Sequence, residues 1–137
     1  MNNELITMVA ELSNMMAQME EKTKDKYNTT GLTLTQMHYL ETIGLLNNPN
    51  MTELANALKL SKPTVTVSID KLIEKGCVYK VHSDQDRRTS HLHLTEIGMG
   101  VNKTHEFSHK SIAEHFSKKL DKNELDLLIN LINKSIN

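Results

Sequence analysis

The chain has 137 residues, enough for one domain or for one subunit of an oligomer. Sixteen Lys and Arg stand against 17 Asp and Glu, a net charge of -1, which excludes a uniformly basic nucleic-acid coat and an acidic tail protein alike. One Cys excludes a disulfide framework and a Cys-only zinc site, five Gly and two Pro argue against an all-β chain, and no apolar run nears the ~18 residues of a membrane span.

The first segment reads as a helix. Leu5, Val9, Leu12, Met16 and Met19 recur at three- and four-residue steps, and Ile6, Met8 and Met15 widen the stripe. It is neither basic at its start nor continuously apolar, so it is not a secretory signal, and a reducing cytoplasmic setting is expected. A polar break is expected over 24–31. Thr33 with Gln36 forms a capping box that opens a second helix, whose apolar face carries Leu34, Met37, Leu40, Ile43 and Leu46. The run Asn47-Asn48-Pro49-Asn50 ends it. Thr52 is expected to cap a short third helix over 53–58. Ser61 caps a fourth, with Pro63 in its first turn and Gly76 as its left-handed stop. Two β-prone runs, 78–82 and 89–94, flank a charged tip and predict a hairpin. A long fifth helix follows from Glu96 to about residue 119. Asp121 with Glu124 caps a last helix bearing Leu125, Leu128, Leu131, Ile132 and Ile136. The fold class is mainly α with a small β-hairpin wing. The terminal helices carry apolar stripes that a small core cannot cover, so they are expected to build a homodimer.

Short helix, tight turn, capped helix and two-stranded hairpin form the winged helix-turn-helix arrangement. At 100° per residue, Val65, Ile69, Leu72 and Ile73 of the fourth helix cluster inward. Pro63, Thr64, Val67, Asp70 and Lys71 point outward, with Thr66 at the edge. Small side chains let a helix sink into the major groove. Lys62 and Lys71 reach toward phosphates, and the Val67 methyls suit a thymine methyl. Asp70 opposes phosphate and must run along the groove or be tied to a Lys or Arg. Between residues 59 and 91, seven Lys and Arg face four Asp and Glu, a local excess of three that leaves -4 elsewhere. At the tip, Asp86-Arg87-Arg88 offers an Arg for a narrow minor groove and a carboxylate to hold the other Arg.

Leu54-Ala55, Ser61-Lys62-Pro63-Thr64-Val65-Thr66, Leu72 with Lys75-Gly76, Asp84-Gln85-Asp86-Arg87-Arg88 and Leu94-Thr95-Glu96-Ile97-Gly98 together resemble the MarR family of transcriptional regulators. The motifs cover roughly 33–100, and the flanking helices match by layout. The resemblance implies one MarR-type domain over 1–137, with dimerisation helices at 1–32 and 100–137 around a winged lobe at 33–99. It implies a cytoplasmic, dimeric repressor on a pseudo-palindromic operator, controlled by a small ligand or by acylated carrier protein. By it, Ser61 through Val67 read the major groove, Arg87 enters the minor groove, and Asp86 with Arg88 is the structural pair. Gln36-Met37-His38 and the stretch from Ser83 to Thr95 look most like the branch that represses fatty-acid synthesis in Gram-positive bacteria. Thr89-Ser90 departs from the more apolar pair of that branch.

Seven His are many for this length. His105 and His109, four residues apart on a helix, share a face. The zinc-uptake repressors of the family place a Glu, a His and such a pair at positions matched by Glu20, His38, His105 and His109, a set that suits tetrahedral zinc. The competing reading is a solvated His pair, and a second zinc site of that branch is not matched. His82, His91, His93 and His115 read as surface or wing residues, and Cys77 as a small buried hydrophobe. No Gly-rich phosphate loop, nucleophile elbow or HExxH occurs, so no enzyme is expected. The alternatives to a ligand-controlled repressor are a zinc-responsive repressor and a protein-interaction module without an operator.

Overall fold

The computed structural model describes residues 2–27, 31–82 and 89–137. The order is α1 (Asn3–Tyr27), α2 (Leu34–Leu46), α3 (Met51–Leu58), α4 (Lys62–Glu74), β1 (Val78–His82), β2 (Ser90–Leu94), α5 (Glu96–Lys119) and α6 (Lys122–Ile136). The architecture is that of a winged helix: mainly α, with one two-stranded antiparallel sheet. The chain divides into two compact units, 1–26 with 106–137, and 27–105.

The second unit is the winged lobe. Its α2 begins as expected: the Thr33 hydroxyl accepts from Gln36 N and Gln36 Oε1 accepts from Thr33 N, both at 3.1 Å. The buried face differs from the expected stripe. Met37, Leu40 and Ile43 are buried together with Tyr39 and Thr42, whereas Leu34 and Leu46 are exposed. Leu34 and Leu46 sit in the first and last turns, where a helix overhangs its core.

The start of α3 also differs. Its cap is Asn50, not Thr52: Asn50 Oδ1 accepts from Glu53 N at 2.8 Å and Glu53 Oε1 accepts from Asn50 N at 3.1 Å. The reciprocal pair satisfies two orphan amides at once, which Thr52 cannot match. Lys59 in the left-handed region turns the chain into α4. There Ser61 Oγ accepts from Thr64 N, and Pro63 lies in the first turn. Gly76, at φ 75°, ends that helix, with Cys77 N donating to Leu72 O at 2.9 Å.

The hairpin pairs Val78 with Leu94, Lys80 with Leu92 and His82 with Ser90. Leu92 N donates to Pro49 O at 2.8 Å, and Asn50 bridges His91, so the hairpin is fastened to the α2–α3 connection. Leu40, Ile43, Leu54, Val65, Ile69, Leu72, Val78 and Leu92 form the centre of the lobe core. Each such side chain contributes about 1.5–3 kcal/mol when fully buried. Cys77 belongs to this core; burial pushes its thiol above the ordinary value, and Lys75 opposes the shift.

The lobe closes where α5 begins. Thr95 donates its hydroxyl to Gly76 O and its amide to Cys77 O, and it accepts from Gly98 N. A Cβ at Gly98 would stand 2.2 Å from Cys77 O, so only glycine lets α5 start this close to that backbone. The Leu94-Thr95-Glu96-Ile97-Gly98 motif is thus a clasp between the end of α4 and the start of α5.

The first unit holds α1, the later part of α5, and α6. Helix α1 runs to Tyr27, beyond the break expected from residue 24, since Lys and Asp interrupt a helix far less than Gly or Pro. Asp121 and Glu124 form the expected capping box of α6. No residue of α6 is buried. Its Leu127, Ile129, Leu131, Ile132 and Ile136 are 46–74% exposed, and Leu5, Ile6, Met8 and Val9 of α1 are about half exposed.

Candidate nucleic-acid interface

The two faces of α4 separate cleanly. Val65, Ile69 and Leu72 are fully buried, while Ser61, Lys62, Pro63, Thr64, Val67, Asp70 and Lys71 are exposed. Val67, a β-branched residue at 57% exposure, stands at the middle of the outer face. Thr66 is half-buried at its edge.

The hydroxyls of this face have defined hydrogen-bond commitments. Thr66 Oγ1 donates back to Lys62 O at 2.8 Å, so it offers only lone pairs outward. It suits a base amino donor better than a phosphate. Ser61 Oγ and Thr64 Oγ1 lie 2.8 Å apart, and one donates to the other. A single hydroxyl proton of that pair stays available for an acceptor such as a phosphate oxygen. Asp70 forms no ion pair among the described residues, so the expected tie to a Lys or Arg is not seen there.

The cations are not equivalent. Lys59, Lys62, Lys71, Lys75 and Lys80 are all exposed, and what separates them is hydrogen bonding. Lys75, counted from sequence in the same basic excess, directs Nζ at Gly31 O (3.0 Å) and Gln36 Oε1 (2.9 Å). Asp86, Arg87 and Arg88 lie outside the described residues, so the tip is not located. On the wing, the Tyr79 and His93 rings lie 5.2 Å apart, and His82 is exposed.

The four proposed metal ligands are distributed over both units. Glu20 of α1 and His109 of α5, both in the first unit, bring ligand atoms within 4.8 Å of one another. His105, in the lobe, places Nε2 3.3 Å from Glu41 Oε2, a partner the sequence spacing did not suggest. His38 is exposed on α2, and among the described residues it joins no set of three potential ligands. No helix among the described residues is long and apolar enough to cross a membrane.

Residues 32–90 match the MarR family. The chain is 36% identical over 87 residues to the uncharacterized HTH-type transcriptional regulator YpoP of Bacillus subtilis strain 168, covering 61% of this chain and 60% of that protein. It is 24% identical over 91 residues to YhjH of the same organism, another uncharacterized HTH-type transcriptional regulator, covering 66% and 52%. The chain thus spans between half and two thirds of these relatives. Among solved structures it is similar to Streptococcus pneumoniae FabT in complex with DNA, at TM-score 0.78 and 25% identity, covering 96% of this chain and 90% of that one. It also resembles the S. aureus MepR–DNA complex, at TM-score 0.69 and 20% identity over 93% of each chain.

Proposed function

We propose that this chain, whose residues 32–90 match the MarR family, is a sequence-specific DNA-binding transcriptional repressor of the winged helix-turn-helix type acting as a homodimer. The observation that carries the reading is the outer face of α4. It is small, hydroxyl-rich, edged by Lys62 and Lys71, and exposes Val67 where an ordinary solvated helix gains nothing from it. The FabT and MepR structures, each in complex with DNA, support it through the shared fold. Ser61, Pro63, Thr64, Thr66 and Val67 would meet base edges, Lys62 and Lys71 phosphates, and Arg87 the minor groove, with Asp86 holding Arg88. The apolar faces of α1 and α6 support a second copy, which presents two such helices to a pseudo-palindromic site.

The test is selection of duplexes from a random-sequence library, followed by anisotropy titrations of the enriched duplex at rising salt. A repressor of this kind enriches a palindromic sequence, and its affinity falls steeply from 50 to 200 mM salt. Thr64→Ala and Val67→Ala each weaken the enriched duplex by about 1–3 kcal/mol and relax selectivity at one position. Binding that ignores salt, or enrichment of no sequence, favours the protein-interaction module instead.

Zinc control is the second reading, supported by the closeness of Glu20 and His109. Those two residues, both in the first unit, supply a carboxylate and an imidazole, donors that zinc accepts. Metal analysis of untagged protein, with and without His109→Ala, tests it. Zinc that is retained equally by both proteins rejects that site.

A further inference from the structure

Lys75 has the residue type and place of a phosphate contact, at the C-cap of the helix that would lie on DNA. Its ammonium is engaged elsewhere. Nζ donates to Gly31 O at 3.0 Å and to Gln36 Oε1 at 2.9 Å, residues 44 and 39 positions earlier in the chain. Both acceptors are built for the purpose. Gln36 Oε1 already accepts from Thr33 N in the capping box of α2, so this one oxygen spends both lone pairs on the two bonds. Gly31 sits at φ 65°, a left-handed conformation that glycine adopts without strain.

The far end of α4 is therefore held to the entrance of α2. Gly31 lies close after the end of α1 in the chain, so the tie joins the helix to the segment through which the lobe is attached. Lys75 lies 14 residues beyond Ser61, about 20 Å along the helix axis from the capped end. A small tilt of α4 about its buried centre moves both ends together, so holding the Lys75 end also holds the capped end.

We propose that Lys75 is a positioning residue for the DNA interface: its bonds to Gly31 and Gln36 fix the tilt of α4 against α2, and it makes no phosphate contact. The inference rests on the DNA-binding reading above.

The salt slope separates the two roles. Each lost phosphate contact lowers the slope of log K against log salt by about 0.9, whereas lost positioning lowers affinity at an unchanged slope. The probe is the duplex enriched by the wild-type chain, titrated by anisotropy between 50 and 200 mM KCl. Lys75→Met is expected to bind about 5–10-fold more weakly with the wild-type slope, and Lys75→Arg to recover most of the loss. Lys62→Met, the comparison, is expected to lower the slope by about 0.9 per protomer. Gln36→Leu, which also opens the capping box of α2, should lose at least as much as Lys75→Met, and the double variant should lose no more than Gln36→Leu alone. Unchanged affinity in Lys75→Met, a slope reduced by about 0.9 per protomer, or additive losses overturns the positioning role while leaving DNA binding intact. A wild-type chain that enriches no duplex overturns the DNA-binding reading and the positioning role with it.

Discussion

At position 98 a single methyl group would occupy the place of a backbone oxygen. The Cβ of an alanine there falls 2.2 Å from Cys77 O, and backbone cannot yield as a flexible side chain does. Gly98→Ala therefore forces the start of α5 away from the end of α4, breaking the Thr95 clasp. Equilibrium denaturation should register a loss of about 2–4 kcal/mol. Cys77, beside the same clasp, tests a different property. Burial raises its thiol pKa, so the folded state holds the proton more tightly than the unfolded chain. Its contribution to stability is intact below the ordinary thiol range of about 8.5 and is lost as pH rises from there through the raised value. Thiol-reagent labelling of native protein should be correspondingly slow near neutrality and should accelerate on unfolding. Lys75 shows that residue type alone misleads at this scale. By composition it is one more cation in a basic stretch; by its bonds it belongs to the scaffold.

Among the elements, α4 is the best test of local logic. Ser61→Ala removes the cap oxygen that Thr64 N uses and should cost about 1 kcal/mol of stability. The Asn50→Ala change should cost a similar amount, because it opens a complete capping box, whereas Thr52→Ala should cost only a few tenths. The contrast between these two variants also marks where the sequence was legible. Thr33, Ser61, Asp121 and Gly76 were readable because each cap is decided within four residues. Asn50 carries the same signal with Glu53, but it follows Pro49 in a run already assigned to a turn. The buried Tyr39 and Thr42, the Pro49 to Leu92 bond and the Lys75 tie were not legible, since partners 39–44 residues away, or a whole packed face, decide them. The split of α4 into a buried and an exposed side was readable, because helical spacing alone sets it once the core is known. The role of that exposed side toward DNA depends on a partner absent from the chain's own packing.

For the molecule as a whole, the decisive imbalance lies in the first unit. Helix α6 buries nothing, and at 100° per residue its apolar positions run from Leu127 through Leu131, Leu128 and Leu125 to Ile129, about 200° of its circumference. A helix that apolar is stable only when covered. Ile132→Lys should shift the proposed dimer toward monomer in sedimentation velocity and lower the melting temperature by several degrees. The wild-type melting temperature should rise with protein concentration, which an isolated subunit would not show. If a second copy covers this helix, as proposed, the lifetime of each newly synthesised copy would depend on how many others are present. Rare chains would then stay uncovered and open to proteases while abundant ones would shelter each other, so the pool of folded protein would switch on with a threshold instead of climbing in proportion to synthesis.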